Sequence, residues 1–205
     1  FDFTLRLDLT KVNRRVIESL VRSGAFDKIE PNRSSLLASV SLAIKMSEQS
    51  KNEAGQEGLF GGSDIEAIKL VEMDLWEEKN QLLEEKAALG FYYSGHLFSY
   101  YKKIIKSFIS TKLIELKPRQ ESYLIAGIVS SVKYRQTSRG KIAIINIDDG
   151  EGRIDAVLGN NLLTQSYNFI KDDELIIIEG RVSLDDYSGS NRLNALKIYD
   201  LMTFQ

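Results

Sequence analysis

Over the first fifty residues, apolar side chains return every three or four positions. Val12, Val16, Ile17, Leu20 and Val21 share one stripe, which predicts an amphipathic helix. Thr10 or Asp8 supplies an oxygen to cap its start, and Gly24 stands where a left-handed residue ends such a helix. A second helix is predicted after Asn32, with Leu36, Leu37, Val40 and Ile44 at helical spacing. Residues 1–50 therefore read as a helical hairpin.

The spacing then collapses. From Gln49 to Asp64 the chain is rich in Gly, Ser, Asn and Glu, too polar to offset the entropy of ordering it, so residues 51–66 read as a linker. Within it, "GQEGLFGG" (Gly55 to Gly62) sets Leu59 beside Phe60, with only Ala54 as a further apolar side chain. Such a pair either covers a neighbouring surface or is displayed for another protein. A Gln-x-x-Leu-Phe peptide suits display: the Gln56 amide hydrogen-bonds while Leu59 and Phe60 fill an apolar pocket on a partner.

Helical pattern resumes within residues 67–116. Leu75, Leu82 and Leu89 recur at heptad spacing, Leu83 and Ala87 widen the stripe, and Gly90 is placed to stop it. Trp76 is expected where this helix meets its neighbour. The aromatics of "GFYYSGHLFSYY" read as core, and His96, the single histidine, as structural.

From Lys117 the period becomes that of strands. Candidates are Tyr123 to Tyr134, Lys141 to Ile147, Arg153 to Leu158, Glu174 to Leu184 and Leu193 to Leu201. Between the third and fourth, a short helix capped by Asn160 or Asn161 turns Leu163, Tyr167 and Ile170 inward. Three strands, a helix and two strands is the order of the OB-fold, a five-stranded Greek-key barrel. Asp149-Gly150 supplies a tight hairpin, and Gly127 and Gly180 let long strands bend to close the barrel. The expected architecture is α+β: a helical module followed by an OB-fold barrel over residues 117–205.

Charge and composition narrow the chemistry. With 27 Lys and Arg against 29 Asp and Glu, the net charge of -2 gives no bulk attraction to nucleic acid or membrane, so any phosphate contact must be local. No apolar run approaches the roughly 18 residues of a membrane span, and the absence of cysteine excludes disulfides and thiolate metal sites. A cytoplasmic setting and no membrane partner are expected. The start, Phe1-Asp2-Phe3, is that expected of a piece of a longer protein. No nucleophile with its base, no metal-ligand spacing and no phosphate-binding glycine loop stands out, so no catalytic residue, metal ligand or cofactor site is assigned. Asp148, Asp149, Glu151 and Asp155 either form and solubilise a turn or hold a cation, the turn being the simpler reading.

One patch is either suited to nucleic acid or a basic surface hairpin balanced by the acids around it. "VKYRQTSRGK" joins the first two strands, and Lys133, Arg135, Arg139 and Lys141 follow one another without an acid. Tyr134 offers a ring for stacking, and Arg153 begins a nearby strand. Cations along a groove with an aromatic among them bind single strands, because phosphates need charge and every base has a stackable face. The other loop of that barrel end, "LDDYSGSNR", carries Asp185 and Asp186, which repel phosphate. Lys11, Arg14, Arg15 and Arg22 lie off the apolar stripe of the first helix, either as a solvated face or as contacts to duplex backbone.

Taken together, these stretches resemble the post-catalytic part of the alpha subunit of bacterial replicative DNA polymerase III. "LTKVNRRVIESLVRSGAFDKIEPNRSSLL" is similar to the helical segment after that family's helix-hairpin-helix element. "LLEEKAALGFYYSGHLF" is similar to its bridging segment, with His96-Leu97 where the family commonly has His-Pro, and "IAGIVSSVKYRQTSRGKIAIINIDDGEGRIDAVL" through "GRVSLDDYSGS" to its OB domain. The resemblance implies that Gln56, Leu59 and Phe60 form an internal sliding-clamp-binding motif. It also implies that the hairpin from Lys133 to Lys141 faces single-stranded template, that the first helices lie near duplex DNA, and that other replisome subunits are partners of the protein. The catalytic carboxylates of a magnesium-dependent nucleotidyltransferase would then lie upstream. A different class, an OB-fold scaffold that binds protein through its loops with Leu59 and Phe60 docked on their own chain, remains as the alternative.

Overall fold

The computed structural model describes residues 1–56 (side chains to 52), 69–138, 140–166, 170–185, 189–199 and 201. The chain divides into two compact units, Phe1–Ser94 and Gly95–Gln205.

The first unit is helical: α1 (Asp2–Arg6), α2 (Arg14–Arg22), α3 (Arg33–Gln56) and α4 (Glu78–Leu89). Its core gathers Ile17, Val21 and Val40, with Leu36, Leu37, Ile44, Val12 and Phe26 packed around them. The expected stripe holds, except that Val16 is 45% exposed. Neither Thr10 nor Asp8 caps α2. Asn13 does, its side chain accepting from the Val16 N–H at 3.1 Å, while Asp8 turns back to bind Thr10. Gly24 ends α2 as expected, at φ +82°, donating to the Val21 carbonyl while Ala25 donates to that of Leu20. That double closure is a Schellman motif, which needs the left-handed glycine.

Two findings depart from the pattern. The α3 helix runs to Gln56, through residues whose composition reads as linker. Leu75 and Trp76 precede α4 in extended chain, and Leu75 is 69% exposed. That extended stretch is fastened to α3 by side chains: Val71 N–H donates to Ser39 Oγ at 2.9 Å, Met73 N–H to Ser35 Oγ at 3.0 Å, and Asn32 Nδ2 to the Met73 carbonyl at 2.7 Å. Serines inside a helix thus satisfy a strand-like segment that has no sheet to join.

A buried ion network locks the helices together. The Arg33 guanidinium, 6% exposed, donates to Asp27 at 2.8 and 2.6 Å and to Glu85 at 2.9 Å. Glu85, fully buried on α4, also accepts the Tyr93 and Ser94 N–H groups at 2.9 and 2.8 Å. Burial pushes its carboxyl up, but the bonds from Ser94, Arg33 and Tyr93 outweigh that and hold it below its ordinary value.

The second unit opens with α5 (Leu97–Ile105) and a 3-10 turn (Leu113–Glu115), then builds the barrel from β1 (Tyr123–Thr137), β2 (Gly140–Asp148), β3 (Arg153–Leu158), β4 (Leu175–Leu184) and β5 (Asn191–Tyr199), with α6 (Asn160–Ser166) after β3. Strand order β1-β2-β3-β5-β4 closes on itself, all pairs antiparallel except β3 with β5. This is the expected OB architecture, with strand limits within a few residues of those predicted. Of the expected inward side chains of α6 and its sequel, Leu163 and Ile170 join the core and Tyr167 lies outside the described residues. The aromatic run divides: Phe98 and Tyr101 are buried on α5, whereas Phe91 and Tyr93 are exposed.

Alternate residues of each strand fill the barrel: Ile125 and Val129; Ala143, Ile145 and Ile147; Ile154, Ala156 and Leu158; Ile176, Ile178 and Val182; Leu193. Leu113 and Leu116 fill it at the end where β3 starts, and Leu163 and Ile170 at the other. Gly127 and Gly180 sit where strands cross closely. A Cβ on Gly127 would lie 3.0 Å from the Asp148 carbonyl oxygen, and one on Gly180 2.7 Å from that of Asn194. Register shifts at Val129/Ser131 and Glu179/Gly180 add the bends that closure needs.

Candidate nucleic-acid interface

The β1–β2 hairpin carries the basic sequence, and its register decides which side chains act together. Val132 pairs with Ile145, Lys133 with Ile144, Tyr134 with Ala143, Arg135 with Ile142, and Gln136 with Lys141. Directly paired residues share a face and neighbours alternate. Val132 packs on the barrel core, so Tyr134 and Lys141 lie on that inner side, and Lys141 Nζ stands 4.6 Å from the Tyr134 ring centroid. Lys133 and Arg135 point the opposite way, exposed and without an ion pair to a described residue. The sequence groups five hairpin residues; the structure separates the ring from the two cations beside it. Arg139 lies outside the described residues.

Arg153 joins Lys133 and Arg135 on the outer face, since Ile154, Ala156 and Leu158 take the inner one. It is 72% exposed, yet its Nε donates at 2.6 Å to Asp148, which is only 8% exposed. Asp148 is fixed from two further sides, by the Gly150 N–H at 2.7 Å and by His96 Nε2 at 3.4 Å. His96 caps α5, its Nδ1 accepting from the Phe98 N–H at 3.2 Å, which leaves Nε2 to carry the proton toward Asp148. The lone histidine is structural, as expected, and its contact also holds the carboxylate that orients Arg153. No local sequence signal joins positions 96, 148 and 153; only the fold does.

The other acids are equally committed. Asp149 accepts the N–H groups of Glu151, Gly152 and Leu113 at 2.9, 2.7 and 2.8 Å, and Asp155 accepts from Asn146 at 2.8 Å. Glu151 binds Lys112 at 2.7 Å and Lys102 at 3.0 Å, and those two lysines hold its carboxyl below the ordinary value. Asp148 and Asp149 hold the turn as the simpler reading expects, whereas Glu151 is ion-paired and Asp155 sits within β3. Among the described residues no cluster of His, Asp and Glu is arranged to hold a metal ion.

In the helical unit, three of the four cations set off the apolar stripe have acidic partners. Arg14 meets Glu18 at 2.5 Å, Lys11 meets Asp8 at 3.5 Å, and Arg22 meets Glu84; Arg15 is exposed without an ion pair to a described residue. Gln56 ends α3, its side chain undescribed, and Leu59 and Phe60 lie outside the described residues. Among the described residues no helix is long and apolar enough to cross a membrane.

A five-stranded barrel with an exposed cationic outer face defines the second unit as an OB-fold module, and residues 123–201 match the model of the OB-fold nucleic acid binding domain. Residues 1–36 match that of the helix-hairpin-helix motif, so that motif reaches into a stretch expected to follow it. Across its whole length the chain is 40% identical to the DNA polymerase III subunit alpha of Neisseria meningitidis serogroup B. Over 98% of its length it is 35% identical to that of Vibrio cholerae and 33% to that of Pseudomonas aeruginosa. The chain belongs to the DNA polymerase III alpha-subunit family, and it spans 18–19% of the length of these relatives. Among solved structures, the SSB domain of a Synechococcus protein is similar over 42% of this chain and 100% of its own, at 13% identity and TM-score 0.35. A replication protein A heterotrimer bound to ssDNA is similar over 44% of this chain and 24% of its own, at 20% identity and TM-score 0.37.

Proposed function

We propose that the chain is a non-catalytic, DNA-binding and clamp-binding portion of a replicative polymerase alpha subunit. The barrel contacts single-stranded template, and the Gln56, Leu59, Phe60 motif tethers the polymerase to its sliding clamp. The observation that carries the first half is the pair Lys133 and Arg135, without an ion pair among the described residues on the outer face of the barrel, with Arg153 oriented on the same side. Two or three phosphate contacts and committed acids nearby imply weak, salt-sensitive binding with little sequence preference. The clamp half rests on family membership and on the motif's sequence. Magnesium and the catalytic carboxylates belong to the remainder of such a subunit, in the cytoplasm with the other replisome proteins. Arg15 is the best-placed contact to duplex DNA on α2.

Two titrations test this reading. Binding of oligothymidylate, followed by anisotropy, should weaken in Lys133→Ala with Arg135→Ala, and the slope of log affinity against log salt should flatten by about 1.4, at ~0.7 per phosphate contact on single strands. An unchanged slope refutes the barrel assignment. A peptide spanning residues 55–62 should bind a bacterial sliding clamp and lose that binding on Leu59→Ala with Phe60→Ala; a peptide inert in both forms refutes the tether.

A further inference from the structure

Strand parity puts more than cations on the outer face. Ile144 lies between Ala143 and Ile145, both sealed in the barrel, so its own side chain points outward, half-buried. Ile142 does the same, and so does Val157 between Ala156 and Leu158. Register lines them up. Lys133, Ile144 and Val157 form one row across β1, β2 and β3, and Arg135 with Ile142 begins the next. Neighbours in such a row stand about 5 Å apart, so a cation borders each step of an aliphatic floor. Among the described residues no ring belongs to this floor. Tyr134, the aromatic of the hairpin, is on the inner side beneath Lys141.

We infer that a single strand bound by this barrel seats its bases on the aliphatic floor of Ile142, Ile144 and Val157, with phosphates toward Lys133 and Arg135, and that Tyr134 does not stack on a base. The inference rests on the proposed single-strand binding and specifies its base side. The occupant is set by charge and shape together. A protein partner of neutral or basic surface is disfavoured by the exposed cations beside the apolar strip, whereas a single strand presents anionic and apolar edges side by side. An aliphatic floor excludes water from a base but lacks the stacking of an aromatic one. Each base therefore adds little affinity, and the nearest polar pair on that face, Asn146 and Asp155, is bonded to itself rather than offered to a base.

The experiment is to supply the missing ring. Ile144→Trp and, separately, Val157→Tyr place an aromatic on the floor, and both residue types suit a strand, so the barrel should fold. Using the full chain and oligothymidylate, each variant should bind about 5- to 150-fold more tightly, the range that one stacked base commands. The salt slope should be unchanged, and the indole introduced at 144 should be quenched on binding. Tyr134→Ala should stay within about twofold of the wild type. The assignment is overturned if the wild type binds while both floor variants match its affinity, if binding leaves the new indole unquenched, or if Tyr134→Ala costs more than tenfold. A wild-type chain that fails to bind the oligonucleotide overturns the proposed function instead.

Discussion

Replacing Glu85 by alanine removes the hub of the helical unit, and the structure sets the size of the loss. The carboxylate is fully buried and accepts three hydrogen bonds, from Arg33 and from the backbone of Tyr93 and Ser94. Removing one partner of a buried ion pair costs about 3–5 kcal/mol, and each stranded N–H costs about 1–3 kcal/mol. These do not add, because Arg33 keeps Asp27 on its other edge and the backbone groups lie near the surface. A net loss of about 3–5 kcal/mol is expected. Urea unfolding read by Trp76, the single tryptophan and a member of this unit, should show it as a midpoint lower by roughly 1.5–5 M at a slope of about 1–2 kcal/mol/M. Glu85→Gln keeps one acceptor and the volume, and should lose about half as much. The sign with pH follows from a carboxyl held below its ordinary value of 4.5. Its contribution is whole above about pH 4.5 and drains away as pH falls through the lower folded value, so the wild type should lose stability there more steeply than Glu85→Ala, which keeps only the smaller slope of groups such as Asp8. A loss under 1 kcal/mol, or parallel pH profiles, refutes the hub.

Further expectations concern single positions. Gly127→Ala drives a Cβ to 3.0 Å from the Asp148 carbonyl and onto Ile147, and should destabilise the barrel by about 1–3 kcal/mol in thermal melts. Asn13→Ala removes the α2 cap at a cost of about 1 kcal/mol, whereas Thr10→Ala should cost far less; equal losses would return the cap to Thr10. Asp148→Asn should weaken the hold on Arg153, lowering oligothymidylate affinity less than Arg153→Ala does.

The barrel was legible because its signals are local and redundant. Alternating apolar residues, Asp149-Gly150 at φ +81° and the bending Gly127 each point to the same register. Gly24 was equally legible, since a left-handed helix end has few other solutions. Leu75 was misread because heptad spacing is satisfied by coincidence. What holds that stretch in place is Ser35 and Ser39, 38 and 32 residues before the groups they bind, and no periodicity reveals a side chain standing in for a sheet. The cap of α2 went to Asn13, while Asp8 spends one oxygen on Thr10 and turns the other to Lys11. At the site, the basic residues were visible but their two-sidedness was not: alternation along β1 divides Tyr134 from Lys133 and Arg135, and the reading by composition overlooked it. The link from His96 through Asp148 to Arg153 was hidden for another reason, as it joins three segments with no shared motif.

Leu113 and Leu116 act as a cork in the barrel's mouth, drawn from the very stretch that leads into it. The matched OB domain begins at Tyr123, so a protein cut at that boundary would be uncorked. Water would enter where two leucines belong, and Asp149 and Asn191 would lose the backbone groups of Leu113 and Leu116 that they bind. Anyone grafting or isolating this barrel should carry its stopper along.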